Sequence, residues 1–164
     1  MKKIFSARNL FILLAAACIV VIFMFSTENS GESSERSGGL AYIAVRLLHR
    51  NYDSLPKCEQ KTLLGSADHI VRKLAHFSIY AFLGACISFA AGRRKLISRG
   101  TFIALLLSSA YACTDELHQH FVPGRACSLK DICLDTAGAV TGILAAFIMI
   151  GIADRLFRPD KVDS

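Results

Sequence analysis

The 164-residue sequence contains no tryptophan, and charged residues make up only 20% of it against 53% hydrophobic ones. With a positive mean hydropathy, that balance leaves little for a water-soluble domain beside the apolar part. No internal repeat or low-complexity tract divides the chain, so residues 1–164 read as one unit. None of the spacings among the six cysteines resembles a zinc knuckle. No serine or cysteine sits in a recognisable nucleophile motif, which disfavours acyl transfer. Interrupted hydrophobic segments repeated in two halves, a mark of alternating-access transporters, are absent as well.

What the sequence does have is four uncharged apolar runs, at residues 9–27, 74–92, 100–114 and 136–153. A run of about 20 residues crosses a bilayer core as a helix. The expected fold is therefore all-α: a polytopic membrane protein with four transmembrane helices, over about 9–27, 69–92, 98–119 and 131–153. The formal net charge of +6 does not point to nucleic acid, because the basic residues cluster where a membrane protein places them. Lys2, Lys3 and Arg8 precede the first run, Arg93, Arg94, Lys95 and Arg99 link the second and third, and Arg155, Arg158 and Lys161 follow the fourth. Four spans put all three clusters on one side, which the positive-inside rule makes cytoplasmic, with both termini, at the plasma membrane. Residues 14–18, L-A-A-A-C, loosely match a lipoprotein cleavage site. The apolar run continues through residues 19–25, where a processed segment would turn polar, so the first run reads as a retained span.

Between the first two spans, residues 28–68 read as an external segment. The Gly/Ser-rich residues 26–39 show no periodicity and read as loop. From Leu40 to Asn51 the pattern is that of a short amphipathic helix, with Leu40, Ile43 and Leu47 on one face and Arg46, His49 and Arg50 on another. It either lies in the outer membrane interface or caps the bundle. Cys18 and Cys86, inside apolar runs, read as small buried hydrophobes, whereas Cys58, Cys113, Cys127 and Cys133 map to the external side, where a disulfide is chemically possible.

Polar residues concentrate at one end of the later spans. On the second, with Ser66 as an N-cap, His69, Lys73, His76 and Tyr80 share one helical stripe. Ionisable groups at membrane depth are costly enough to suggest function; for His69 and Arg72, snorkelling at a helix end explains as much. The third helix should run through Asp115 and Glu116 to Gln119 before Pro123 and Gly124 turn the chain toward Arg125. Two adjacent carboxylates can divide into acid and base, or bind a divalent cation. On the fourth helix Asp131, Asp135, Gly138 and Gly142 form a narrow stripe, its G-x-x-x-G a packing face that turns the aspartates into the bundle.

The motifs K-L-A-H-F-S-I-Y (73–80), D-E-L-H-Q-H-F-V-P-G-R (115–125) and D-I-C-L-D-T-A-G-A-V-T-G (131–142) resemble those of the VanZ-like integral membrane proteins, and F-S-T-E (25–28) is similar to the F-S-S-Q of that family. Asp135 stands where the family often has Asn, and Glu28 where it has Gln. The family is named for a protein associated with glycopeptide resistance, chiefly to teicoplanin, so the resemblance implies an envelope-facing membrane protein.

Three functions fit these residues. In the first, an outward polar cleft binds an anionic membrane lipid or lipid-linked cell-wall precursor through Lys73, Tyr80, Gln119, Arg125, Asp131 and Asp135. In the second, the cleft is a hydrolase or transferase acting on phosphate, with His76, Asp115 and Glu116 as acid and base, Lys73 and Arg125 holding phosphate, and Asp131 and Asp135 orienting His76 or coordinating a metal. In the third, the same charges form a buried network that fixes helix register. The topology has a direct test in a background without native cysteines: Ser34→Cys should label with an impermeant maleimide in intact cells, and Lys95→Cys only after permeabilisation. The opposite pattern overturns it.

Overall fold

The apolar runs lie in helices, which a computed structural model describes over residues 2–91, 98–125 and 127–157. The chain is all-α: α1 (Lys2–Thr27), α2 (Ser30–Leu48), a 3-10 turn at Tyr52–Ser54, α3 (Lys57–Ala91), α4 (Arg99–Gln119) and α5 (Leu129–Phe157). Among the described residues three segments are long and apolar enough to cross a membrane: Ala7–Thr27, Lys57–Ala91 and Leu129–Phe157. The expected third span, α4, falls short of that apolarity because Asp115, Glu116, His118 and Gln119 occupy its last turns. Of the basic residues, Arg93, Arg94, Lys95, Arg158 and Lys161 lie outside the described residues.

Burial is inverted relative to a water-soluble bundle. Leu13, Phe23, Phe102, Leu106, Ile148 and Met149 are exposed, while Ser26, Ser108, Ala112, Asp115, Glu116, Asp135 and Ala139 are buried. Apolar surface outward and small or polar residues inward is the arrangement that suits a lipid surround. An apolar cluster of Cys18, Ile22, Tyr80, Leu83 and Ala112 joins α1, α3 and α4. All six cysteines are free, with Cys18 and Cys86 buried as expected and the others exposed.

α3 packs on each of the other helices, most extensively on α5. A Cβ on Gly138 would strike the Phe77 carbonyl, one on Gly142 the Ala81 carbonyl, and one on Gly84 the Ala139 carbonyl. Hydrogen makes this backbone contact possible where methyl would not. The pairs Phe77 with Gly138 and Ala81 with Gly142 advance together along both chains, so α3 and α5 run parallel. α1 and α4 run against them: Phe11 near the start of α1 stacks at 4.8 Å on Phe89 near the end of α3. Arg8, Arg99 and Arg155 therefore share the end of the bundle opposite the His69 and Asp131 end.

Two expectations for residues 28–68 are corrected. Residues 30–39 are not loop but the first half of α2, which a capping box starts: the Asn29 side chain accepts from the Glu32 amide at 3.0 Å, and Glu32 Oε2 accepts from the Asn29 amide at 3.0 Å. The buried face of α2 is Ser33, Ser37, Ala41 and Val45, and Ser34 (3.0 Å) and Ser37 donate to Asp68 of α3. The amphipathic segment is the second half of the same helix, docked on α3, with Leu40, Ile43 and Leu47 exposed. Nor does α3 begin near residue 69 with Ser66 as its cap. Pro56 precedes its first residue, and the Gln60 amide closes the first turn on the Pro56 carbonyl at 3.0 Å. At 35 residues α3 is about 52 Å long, well beyond a hydrocarbon core of about 30 Å. Its polar first turns support α2.

Gly142→Leu should destabilise the protein by about 1–3 kcal/mol or more, since the side chain meets backbone that has no rotamer to yield. Gly151→Leu, where nothing lies within 4 Å, should leave stability unchanged. Denaturant unfolding in detergent measures both, and equal midpoints would refute the backbone contact.

Candidate functional site

At the end where α3 and α5 carry their polar turns, a cavity of about 220 Å³ opens between α2, α3, α4, α5 and the turn after α4. α3 lines it with His69, Arg72, Lys73 and His76, α4 with Glu116 and Gln119, α5 with Asp131, Leu134 and Asp135, and α2 with Ser30 and Ser33. Gly124 and Arg125 complete the wall. The turn that delivers Arg125 is held by hydrogen bonds from the Val122 amide to the Gln119 carbonyl at 3.0 Å and from the Arg125 amide to the Val122 carbonyl at 3.1 Å. Gly124 takes φ +78° there, and a Cβ would meet the Ser30 side chain.

Seven of the nine residues singled out in the sequence line this cavity: Lys73, His76, Glu116, Gln119, Arg125, Asp131 and Asp135. Asp115 and Tyr80 do not. Asp115 is buried, accepts from Gln119 Nε2 at 3.1 Å through Oδ2, and has its carbonyl 3.5 Å from the Ser26 hydroxyl. Tyr80 is fully buried, its ring 6.3 Å from that of Tyr111, and its hydroxyl has no hydrogen-bond partner among the described residues. Arg72, Ser30 and Ser33 line the cavity without having been singled out as site residues. For Arg72 a signal existed, since it lies three residues from His69 and four from His76, on the same helical face.

The polar groups pair selectively. Lys73 is ion-paired with Asp131, so neither is a free group awaiting a ligand. Glu116 Oε2 accepts from the Ser128 amide at 2.9 Å, an anion placed at the start of α5, where the helix dipole favours it. Asp115 and Glu116 thus diverge instead of forming one acid–base pair. His76 Nδ1 lies 3.8 Å from Asp135 Oδ2. His76, Asp115 and Asp135 hold ligand-type atoms within 4.8 Å of one another. Arg72 Nη2 is 3.4 Å from Asp68 Oδ2, and Arg125 Nη2 donates to the Phe25 carbonyl at 3.2 Å. The Nε of each arginine is buried without a partner among the described residues. Burial lowers the Arg125 pKa from its ordinary value, the charge of Arg72 adds to that, and Asp115, Glu28 and Glu116 oppose it. It stays a permanent cation.

Against known families, a family model described as VanZ/LLP1 matches residues 11–150. The chain belongs to the VanZ/LLP1 family. No curated protein and no solved structure matches it. In this VanZ-like chain the F-S-T-E segment touches the site through Arg125. The Phe25 carbonyl holds Arg125, the Phe25 ring lies 4.8 Å from the Arg36 guanidinium, and Glu28 pairs with Arg36.

The Lys73–Asp131 pair ties the VanZ-like α3 to α5 across the cavity. A double-mutant cycle of Lys73→Met and Asp131→Ala should show a coupling of about 0.5–3 kcal/mol in unfolding free energy. Strict additivity would mean that the two groups do not meet.

Proposed function

We propose that this VanZ-like protein crosses the plasma membrane four times with both termini cytoplasmic. Its cavity, facing outward, binds the anionic headgroup of a lipid or lipid-linked envelope component, and so alters glycopeptide susceptibility. Inverted burial supports α4 as the fourth span: Phe102, Ile103, Leu106 and Leu107 are exposed, while Asp115, Glu116 and Gln119 are buried. Its polar residues would therefore face protein, the condition under which they are tolerated at depth.

One observation carries the anion. Arg72 and Arg125 line one cavity, and each keeps a buried Nε–H without an acceptor among the described residues. Buried donors on permanent cations call for an anionic acceptor. A volume of about 220 Å³ is below the roughly 300–1,000 Å³ of pockets that enclose whole ligands, so it suits a phosphate-bearing headgroup whose chain lies elsewhere. The placement of His76 against Asp135 in the cavity wall favours a second reading, acid–base attack on that phosphate.

Farnesyl diphosphate, with farnesol as the uncharged control, tests the headgroup reading on purified full-length protein in detergent. The diphosphate should bind, farnesol should not, and Arg72→Ala or Arg125→Ala should each weaken binding by about 10- to 100-fold, the worth of one charge-assisted hydrogen bond. Equal binding of alcohol and diphosphate, or undiminished affinity in both variants, would overturn the reading. His76→Gln separates the two activities. Retained binding with a lost glycopeptide phenotype indicates chemistry, and retention of both indicates binding alone.

A further inference from the structure

Anion binding by arginines leaves unexplained His76 and Asp135 in the cavity wall and the buried Asp115 beside them. Asp135 is 1% exposed, and among the described residues neither carboxylate oxygen has a hydrogen-bond partner. Its surroundings do not neutralise it. Lys73 is taken by Asp131, Arg72 lies against Asp68, and Arg125 donates to the Phe25 carbonyl. Among the described residues His76 is the basic group paired with it, Nδ1 lying 3.8 Å from Oδ2. A second buried carboxylate, Asp115, comes within 4.8 Å of the same atoms. The two carboxylates so placed repel each other, and a positive charge held among them would relieve that repulsion.

We infer that His76, Asp115 and Asp135 form a binding site for a divalent transition-metal ion, of the Zn²⁺ or Mn²⁺ class, at one end of the cavity. The donor set fits: an imidazole nitrogen with two carboxylates suits these ions better than all-oxygen Mg²⁺ or Ca²⁺ sites. The His76–Asp135 edge fits as well. Metal–nitrogen and metal–oxygen bonds of about 2.0–2.2 Å span about 3.4 Å across a tetrahedral edge and about 4.1 Å when collinear. The 3.8 Å between His76 and Asp135 lies between those limits. Gln119, donating to Asp115 Oδ2 at 3.1 Å, is the second contact that fixes a ligating carboxylate. His76 and Asp135 line the cavity, which gives an ion access and leaves a coordination position for a ligand there. Its use in holding a headgroup phosphate rests on the function proposed above, but metal binding itself does not.

The test uses full-length protein in detergent, stripped with chelator, incubated with Zn²⁺ or Mn²⁺, desalted and assayed for metal per chain. Thermal midpoints are recorded with and without metal. Mn²⁺ is the discriminating probe, because thiols on the four exposed cysteines hold it poorly. Wild type should retain close to one ion and melt higher with it. Asp135→Asn and His76→Gln should each lose at least tenfold in affinity together with the thermal shift. Arg125→Ala should keep both, so that failure of the headgroup reading leaves this one standing. Asp135→Asn removes a buried charge and should fold without metal; should it not fold, His76→Gln decides. No uptake by wild type, or uptake unchanged in the folded variants, overturns the site.

Discussion

The close approach of α3 and α5 is the constraint on which the remaining structure depends. Between helices in a lipid surround there is no hydrophobic driving force, and association relies on van der Waals fit and on polar contacts sheltered from lipid. Gly138, Gly142 and Gly84 supply the fit by letting backbone meet backbone. Because the two helices run parallel, the same register that puts Phe77 beside Gly138 puts His76 beside Asp135 and Lys73 beside Asp131, a turn or two nearer the cavity. The glycine contact thus fixes the spacing of the polar end. A shift of one residue in that contact would rotate each aspartate away from its partner.

The charges at the polar end fall into two groups, and the difference between them separates scaffold from site. Asp68 accepts from Ser34 and Ser37, Asp131 pairs with Lys73, Glu116 receives the Ser128 amide, and Asp115 receives Gln119. Each contact joins or orders helices, and architecture explains it. Asp135 and the Nε atoms of Arg72 and Arg125 have no such partners among the described residues. A protein that stabilises four carboxylates with its own groups yet leaves a fifth and two guanidinium edges without them carries a cost that folding alone does not offset. Their opposite signs fit two different ligands, a cation among the carboxylates and an anion near the arginines.

The sequence made the polar stripes legible wherever the pattern was hydrophobic on one side and polar on the other. The His69, Lys73 and His76 stripe, the continuation of α4 to Gln119 and the G-x-x-x-G face all follow from helical periodicity. What periodicity could not reveal was α2, whose buried face begins with Ser33 and Ser37, so that a hydrophobic pattern is missing where burial is greatest. Asn29 and Glu32, a capping box, were the available signal. The early start of α3 was hidden similarly: its first turns are polar because they support α2 instead of entering an apolar core. Adjacent Asp115 and Glu116 point about 100° apart on a helix, and which of them reaches the cavity is decided by the rotation of α4 against α5. No local pattern encodes that rotation.

The reading of α4 as a membrane span and the reading of the cavity as a site rest on the same residues. A helix that delivers two carboxylates and an amide inward necessarily loses average apolarity, so its failure to match the other three helices in composition is what an inward-facing site predicts. Its outward face supports the proposed fourth span. Phe102, Ile103, Leu106 and Leu107 offer lipid a continuous apolar stripe, while Ala104, Ser108 and Ala112 keep the inner face small enough for close packing. If α4 lay outside the membrane, that stripe would face water with no covering partner among the described helices. As a proposed span, α4 would set its apolar stripe against lipid and its polar residues against protein.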